Sequence, residues 1–390
     1  MNLAAYVGLG CRADRMSHLT STFQVHRLER VGTLSNQQLA TSTTTRGGNQ
    51  GLRVVPESYG LGQRRYLGGK TKLLDAIYEI SKKTLGNSPE SVFDVFAGTG
   101  VVAERFAREG SKIVANDLLF HNFVSLQAFL GNGKVSTNSL CEKLTELQQV
   151  KGSKNYFSDN FGGTFFSLEN AKKIGAMREE IDKIAESERE RMCLLSSLIY
   201  ATDKIANTVG HYDAFHRAQD NTNPVALRLP SIFTETSKNV ILNGDSNSLA
   251  GNYFADVVYL DPPYNSRQYS DAYHLLENLA RWEKPEVFGV AKKMDRTNIK
   301  SKFCGKAAPA AFGSLIESIV GKVIIVSFNN TGESRNARSN ATLTDEQILK
   351  PLKARGKVTI ADIEFGAFTT GKTKDRKGHM ERLFVCEVSS

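Results

Sequence analysis

The sequence contains no long apolar run: no stretch approaches the ~18 residues that a membrane-spanning helix needs. Cysteine is scarce, with 5 residues in 390. The cysteines are odd in number and widely scattered, and they form neither a disulfide framework nor a CxxC zinc pattern: Cys11, Cys141, Cys193, Cys304 and Cys386. His211 and His216 lack the helical i, i+4 spacing of zinc ligands. We therefore expect a cytoplasmic protein with no metal site and no membrane partner.

The composition is that of a basic globular protein. Hydrophobic residues make up 40% of the chain, and 50 Lys+Arg against 41 Asp+Glu give a net charge of +9. A chain of 390 residues can hold one large α/β domain with an insertion, or two domains. The moderate positive excess fits a polyanionic partner without requiring one.

Residues 1–55 differ from the rest of the chain. The run TSTTTRGGNQG and its surroundings show neither helical nor strand periodicity, so we predict a weakly structured tail. An Arg- and Ser-rich, acid-poor leader is also typical of a transit peptide, although Asp14 and Glu29 count against that interpretation.

The chain is organised around DVVYLDPPY, residues 256–264. Residues 257–260 have strand character and lead straight into Asp261-Pro262-Pro263-Tyr264. Two prolines forbid both a helix and a further strand ladder, so the chain must stop at the edge of the sheet. Open α/β sheets bind ligands at the carboxyl ends of their strands.

This turn suits a planar nitrogen base. The Asp261 carboxylate and the Pro262 carbonyl could accept both hydrogens of an exocyclic amine, while the Tyr264 ring stacks on the base. Two acceptors stabilise the positive charge that develops as the amine attacks. For the tetrapeptide alone, a strand end followed by a turn is an equally good interpretation.

An upstream segment predicts a βαβ unit of the nucleotide-binding kind. Residues 91–100, SVFDVFAGTG, indicate a strand that breaks into a Gly-x-Gly turn, and residues 101–108 indicate a helix. Residues 112–117 indicate a second strand that ends in Asp117, which could accept ribose hydroxyls. Position 103 is Ala rather than a third glycine, which favours a mononucleoside-sized ligand over NAD.

A glycine pair precedes this unit, in Tyr66-Leu67-Gly68-Gly69-Lys70. The apolar residues that follow have helical spacing. Gly68 and Gly69 would let the backbone approach a ligand, and the free amides of a helix N-terminus favour a carboxylate.

Residues 120–239 change to long helical stretches, including 168–209, followed by a loop of residues 211–230. The region interrupts the α/β alternation and is too long for a crossover. The loop carries aromatic and basic side chains, and we expect it to read a nucleic-acid target, most sharply through Arg217 and Arg228. The alternative is a helical subdomain with a solvated charged face.

Strand patterns resume after this region. Apolar runs at 240–242 and 323–328 predict strands, and residues 358–365 and 382–388 predict a closing hairpin pair, for a total of about seven strands. The basic segment 292–306 is either a phosphate-contacting loop or a soluble one.

Together these motifs resemble the Dam-like class of adenine-N6 DNA methyltransferases, including those of restriction-modification systems. The resemblance covers roughly residues 66–388 and rests on the order of the motifs: glycine-lysine loop, FAGTG turn, acid after the second strand, helical insert, then DPPY. It implies a Rossmann-like, S-adenosylmethionine-dependent methyltransferase sheet built from residues 56–119 and 240–390. Residues 120–239 would be a helical target-recognition insertion, and residues 1–55 have no counterpart.

The resemblance also implies roles for single residues. Tyr66 and Lys70 would border the methionine part of S-adenosylmethionine, and Asp94 would face its amino group. Phe96 and Gly98 would lie on the adenosyl side, Asp117 at the ribose and Asp245 near the adenine. Gly69 and Gly100 belong to the same cofactor-binding set. The catalytic pocket would be formed by Asp261, Pro262, Pro263 and Tyr264.

The implied reaction is methyl transfer to the exocyclic N6 of an adenine flipped out of double-stranded DNA, with a cognate restriction endonuclease as an expected partner. Neither a metal nor a separate strong base is required. RNA adenine or DNA cytosine-N4 methylation is the nearest alternative. Another is a catalytically idle nucleic-acid-binding homologue, which would be marked by loss of Asp261, Tyr264 or the FAGTG turn, but all three are present.

Overall fold

The computed structural model of the protein describes residues 56–216, 222–234, 238–329, 342–364 and 380–389. The predicted tail, residues 1–55, and Arg217 of the predicted recognition loop lie outside the described residues.

Nine strands are described, and seven of them form one mixed sheet. In chain order they are β1 (Ser58–Tyr59), β2 (Ser91–Asp94), β3 (Lys112–Asn116), β4 (Leu229–Pro230), β5 (Val240–Leu242), β6 (Phe254–Leu260), β7 (Val320–Asn329), β8 (Gly356–Glu364) and β9 (Met380–Val388). The order across the large sheet is β5-β3-β2-β6-β7-β9-β8. The first five strands in this order, β5, β3, β2, β6 and β7, are parallel to one another. β9 is antiparallel to both of its neighbours. β1 and β4 make a separate parallel pair.

The strand order reverses at β2, with β3 and β5 on one side and β6 and β7 on the other. Such a reversal opens a crevice at the carboxyl ends of the parallel strands. The predicted strands are all present, and the α/β fold class is confirmed. β8 and β9 form the predicted antiparallel pair, although β9, the last strand, lies between β7 and β8.

Helices cover both faces of the sheet. They are α1 (Leu74–Leu85), α2 (Val101–Arg108), α3 (Phe120–Leu130), α4 (Thr137–Gln149), α5 (Tyr156–Phe161), α6 (Leu168–Ile184), α7 (Glu188–Ile205), α8 (Ser246–Leu249), α9 (Tyr269–Ala272), α10 (His274–Arg281), α11 (Ala308–Ser318) and α12 (Asp345–Arg355). Successive strand residues point to opposite faces: Val92 and Val257 pack in the apolar cluster that contains α1 to α3, whereas Phe93 and Val258 pack with α11 and α12. None of the helices in the described ranges is long and apolar enough to cross a membrane.

The segment between β3 and β5 is helical, as predicted, but the stretch 168–209 is divided. α6 ends at Ile184, and the side chain of Ser187 accepts the N–H of Glu190, which caps a new helix, α7. α7 itself ends at Ile205. These helices share one apolar cluster with the sheet. The predicted boundaries of a separate insertion, 120–239, stay a prediction.

Candidate functional site

A cavity of about 950 Å³, including the space open to solvent, lies at the carboxyl ends of the parallel strands. The crevice brings together residues from distant parts of the sequence, from Tyr66 to Phe303. The predicted site residues that line it are Tyr66, Gly69, Lys70, Asp94, Phe96, Gly98, Asp117, Asp245, Asp261 and Pro263.

Three predicted site residues do not line this cavity. Gly100 is at the start of α2 with φ +86°, and a Cβ there would lie 2.5 Å from Leu126 Cδ2, so it serves close packing in the core. Pro262 and Tyr264 follow β6 just beyond the cavity wall. The Tyr264 ring makes an edge contact with Phe328, with centroids 5.6 Å apart, and its own centroid is 5.8 Å from Lys70 Nζ.

The turn after β2 forms a narrow part of the wall. Gly98 has φ +54°, a conformation that favours glycine. A Cβ at this position would lie 3.0 Å from Cε1 of Tyr66, so the bare backbone lets the ring approach. The Gly98 N–H donates to Oδ2 of Asp117 at 2.9 Å, which ties the two predicted cofactor loops together.

Asp94 is a buried acid at the end of β2. It is 1% exposed, and in the described structure neither carboxylate oxygen makes a hydrogen bond. Burial raises its pKa well above the ordinary value, and the charge of Asp261 adds to that shift. The nearby backbone N–H of Ala103, which lies outside hydrogen-bonding geometry, opposes it. A buried acid facing a cavity without a partner is costly, and it fits a site that receives a cationic or donor group from a ligand.

Asp117 is buried at the end of β3 and is already engaged with the backbone. Its two oxygens accept the N–H groups of Gly98 and Leu119, at 2.9 and 2.8 Å. Burial raises its pKa, and these hydrogen bonds oppose the shift. The predicted ribose acid therefore also holds the shape of both loops.

Asn116 was not singled out in the sequence, although it lines the cavity. Its amide nitrogen donates to the carbonyls of Val95 and Gly244, and its oxygen accepts the Gly244 N–H, each at 3.1 Å. It thereby ties the turn after β2 to the loop after β5. The only signal in the sequence is its position beside Asp117 at a strand end.

Aromatic rings form a second wall. The rings of Tyr66 and Tyr273 stack with centroids 4.9 Å apart and planes 8° from parallel. Tyr273 Oη accepts the Leu67 N–H at 2.8 Å, and Asn122 donates to Tyr66 Oη at 3.1 Å. Tyr269 donates to the Leu67 carbonyl at 3.2 Å. The helices after the DPPY turn thus hold the glycine-lysine loop in place.

Lys70 lies between two carboxylates. Its Nζ is 3.1 Å from Oδ1 of Asp261 and 2.9 Å from Oε1 of Glu381. Burial raises the pKa of Asp261 to about 6, although Lys70 opposes this shift. The pKa of Lys70 is raised well above its ordinary value because the two carboxylates outweigh its burial, so it stays charged. Lys70 is therefore a direct partner of the predicted catalytic acid, whereas the sequence placed it beside a cofactor.

Part of the basic segment 292–306 also lines the cavity, through Ile299, Ser301, Lys302 and Phe303. Phe303 makes an edge contact with Phe96, with centroids 5.0 Å apart. Lys302 Nζ lies 3.3 Å from Oδ2 of Asp245, whose Oδ1 accepts the N–H of Asn247 and caps α8. The sequence offered two interpretations for this segment, and neither placed it in the cofactor crevice. An apolar Phe between lysines was the one available signal.

The residues present fit S-adenosylmethionine. The unpartnered oxygens of Asp94 suit an amino group, and the two tight glycine turns at Gly68 and Gly98 leave space that a Cβ would fill beside Tyr269 and Tyr66. The described residues contain no group of three or more His, Cys, Asp or Glu side chains placed to hold a metal ion.

Comparison with known proteins shows which family the chain belongs to. The model of the D12 class N6 adenine-specific DNA methyltransferases matches residues 66–311. The modification methylase StsI of Streptococcus sanguinis is 36% identical over 343 residues, which are 83% of this chain and 52% of that protein. The type II methyltransferase M.FokI of Planomicrobium okeanokoites is 30% identical over 75% of this chain and 47% of its own.

A shorter relative matches nearly end to end. The type II methyltransferase M.NlaIII of Neisseria lactamica is 30% identical over 82% of this chain and 96% of its own. The chain thus spans about half the length of the StsI and FokI methylases and almost all of M.NlaIII. Among solved structures, a SAM-dependent methyltransferase from Agrobacterium tumefaciens aligns over 83% of this chain and 64% of its own, with 12% identity and a TM-score of 0.31.

Proposed function

Because the chain belongs to the D12 class N6 adenine-specific DNA methyltransferase family, we propose that it methylates the N6 amino group of adenine in double-stranded DNA. The observation that carries the proposal is the sharing of one cavity. Asp261 and Pro263 of the acid-Pro-Pro-Tyr turn line the same crevice as Asp94 and Asp117 of the βαβ unit. A cofactor bound by Asp94 and Asp117 would therefore lie next to a base bound at Asp261 and Pro263.

S-adenosylmethionine, when bound, supplies an electrophilic methyl group. Asp94 would hold its amino group and Asp117 would accept from its ribose hydroxyls, while Phe96 and Asp245 would border the adenine. The Gly98 turn, against which the Tyr66 ring lies, would let the backbone approach the cofactor. These residues would orient the cofactor, and positioning of the two reactants supplies much of the rate in a transfer of this kind.

Asp261 acts on the nucleophile. Its carboxylate, with the Pro262 carbonyl, would accept the hydrogens of the adenine amine, and this interaction strengthens as positive charge develops on the nitrogen. Tyr264 would stack on the face of the base. The base must leave the DNA stack to reach these groups, at a cost of a few kcal/mol that contacts with the protein must offset. Once methylated, the amine is acidic and loses a proton without a strong base.

Target recognition is proposed for the region of residues 120–239. Cofactor and base would together fill the crevice, so discrimination between sequences would come from side chains that reach the groove edges. A cognate restriction endonuclease is a further proposed partner, in line with the type II methyltransferases among the relatives. The cytoplasmic location stays a prediction.

The direct test uses the full chain, duplex DNA from a host that lacks adenine methylation, and a donor with a labelled methyl group. We expect digestion of the product to give labelled N6-methyladenine. The matched control is Asp261→Ala, which should retain cofactor binding in calorimetry but give no label. Label found in N4-methylcytosine, or in RNA in preference to DNA, would replace this proposal with one of the two alternatives. Absence of label with every substrate, despite cofactor binding, would favour an idle homologue.

A further inference from the structure

Glu381 lies at the candidate active site but belongs to none of the motifs recognised in the sequence. It is on β9, paired across the sheet with Asn329 of β7, and its side chain is 3% exposed. Its Oε1 accepts from Ser327 Oγ at 2.6 Å and lies 2.9 Å from Lys70 Nζ. A buried carboxylate is retained only where charge and hydrogen bonds compensate its desolvation, and both compensating groups lie at the catalytic end of the sheet.

One cation therefore serves two acids. Lys70 has a single positive charge, while Asp261 and Glu381 carry one negative charge each when ionised, and the two N–O distances are similar at 3.1 and 2.9 Å. Asp94, a third buried acid, is close enough for the charge of Asp261 to add to the effect of burial in raising its pKa. Tyr259, Tyr264 and Tyr269 also face this group of charges. The arrangement has an excess of negative charge that a single Lys70 cannot neutralise.

This sharing has a consequence for the reaction. A target amine must donate to the Asp261 carboxylate, yet Lys70 already donates to Oδ1 of that group. A lysine with Asp261 as its sole acid partner would compete fully with the amine. Glu381 offers the ammonium a second partner within hydrogen-bonding distance, so Lys70 can leave Asp261 and still remain paired.

We propose that Glu381 is a positioning residue for methyl transfer, which holds Lys70 on its own carboxylate and so leaves Asp261 available to the target amine. This inference rests on the proposed adenine methyltransferase function. Ser327 supports the role, because its hydroxyl orients the carboxylate of Glu381 from the neighbouring strand. Glu381 acts through Lys70 and touches neither base nor cofactor in this scheme.

The competing explanation is that Glu381 only ties β9 to β7. Charge removal without loss of shape separates the two, so the test variant is Glu381→Gln, and the matched control is Glu387→Gln on the same strand, where the side chain is 46% exposed and pairs with Lys357. Both proteins would be compared with the unchanged chain for cofactor affinity by calorimetry, thermal unfolding and single-turnover methylation of phage DNA from pH 5 to pH 9.

We expect Glu381→Gln to lower the single-turnover rate about tenfold or more on the pH plateau, while cofactor affinity changes less than about threefold. We also expect the acid limb of its profile to move to lower pH, because the negative charge of Glu381 raises the pKa of Asp261. Glu387→Gln should match the unchanged chain. The role would be overturned if the plateau rate of Glu381→Gln were within about twofold of the wild-type rate, or if the acid limb of its pH profile did not move.

A double-mutant cycle tests whether Glu381 works through Lys70. In a Lys70→Gln background, Glu381→Gln should cause no further loss, because no lysine remains to compete for Asp261. If the fold-losses in rate of the two single variants multiply in the double variant, the two residues act independently, and the inference is overturned. If Glu381→Gln does not fold, Ser327→Ala replaces it. We expect this variant to lose less of the single-turnover rate and to show the same dependence on Lys70. An unchanged chain that binds cofactor but methylates no DNA would refute the proposed function itself and the inference with it.

Discussion

The ring of Tyr66 lies so close to Gly98 that a Cβ on the glycine would be 3.0 Å from its Cε1 atom. Tyr66 is in turn stacked on Tyr273, whose hydroxyl accepts the N–H of Leu67. The turn after β2, the glycine-lysine loop and the helices after the catalytic turn are thus in contact through one ring. A substitution in the turn should therefore alter the positions of residues on the opposite side of the cavity.

Gly98→Ala is expected to weaken cofactor binding about tenfold, because its Cβ would push the Tyr66 ring out of place. The left-handed backbone should also cost about 1–2 kcal/mol of stability. Gly86→Ala is the matched control: Gly86 has φ +80°, ends α1 and has nothing within 4 Å of its Cβ position. Calorimetry and thermal unfolding should show lower stability for both variants, and lower cofactor affinity for Gly98→Ala alone. Equal affinities would mean that the ring can move away without consequence.

The pH dependence of methylation should follow the Asp261 carboxylate. Its charged form accepts the amine hydrogens far more strongly than the protonated form, in which one oxygen is a donor and the negative charge is lost. Burial raises the pKa of Asp261 to about 6. The group is ionised above that pH, so the rate should be constant near pH 8 and fall as the pH decreases through about 6. Single-turnover rates measured across this range would check it. A rate that stays constant down to pH 4.5 would show that Asp261 is not the acceptor.

The sequence predicted the parts of this site that depend on local chain chemistry. A strand that meets two prolines must end there, and a strand that meets Gly-x-Gly must turn, so Asp261 and Gly98 could be placed at the same sheet edge in advance. Parallel pairing of β2 with β6 then brings their ends together.

Glu381 could not be predicted in this way. It reaches Lys70 because β9 pairs antiparallel with β7, with Asn329 opposite Glu381, and a one-residue shift in register would turn the side chain to the other face. Register across a long connection is set by packing of the whole sheet. The place of segment 292–306 in the crevice could not be predicted for a related reason: it depends on contacts such as that of Phe303 with Phe96, which no local pattern encodes.

Replacement of Asp117 should affect two properties at once. Asp117→Ala removes an acceptor for the ribose and also the acceptor of the Gly98 and Leu119 amides. We therefore expect the free energies of cofactor binding and of unfolding each to fall by roughly 1–3 kcal/mol. Asp117→Asn retains one acceptor oxygen and should recover part of the stability. Calorimetry and thermal unfolding of both variants measure this. If Asp117→Ala binds the cofactor with unchanged affinity, Asp117 does not bind the ribose.

Tyr264→Ala should cost roughly 1–3 kcal/mol of transition-state stabilisation through loss of stacking on the target base. Tyr264→Phe retains the ring, and its edge contact with Phe328 should persist, so it serves as the control. The measurement is kcat/KM on duplex DNA. Unchanged kinetics in Tyr264→Ala would place the ring outside the base pocket, in agreement with its position beyond the wall of the cofactor cavity.

Sequence specificity provides the last prediction, and it concerns Arg228. Its guanidinium lies over the Tyr59 ring, 5.3 Å from the centroid, and donates to Gln63 Oε1 at 3.2 Å, which holds the group in a defined orientation. An arginine fixed in this way suits bidentate recognition of guanine, and Arg228→Ala should then lose roughly 1–3 kcal/mol of discrimination at one base pair.

A phosphate contact would behave differently. Its loss weakens binding to all sequences about equally and flattens the salt dependence. Mapping of modified adenines in a host that expresses Arg228→Ala, with Arg228→Lys as the charge-retaining control, distinguishes the two. We expect the recognised sequence to relax at one position in both variants, since lysine keeps the charge but loses the planar fork. If neither variant, nor Arg217→Ala, relaxes the sequence while changes in residues 292–306 do, recognition lies after the catalytic strand, on the segment that carries Lys302 beside Asp245.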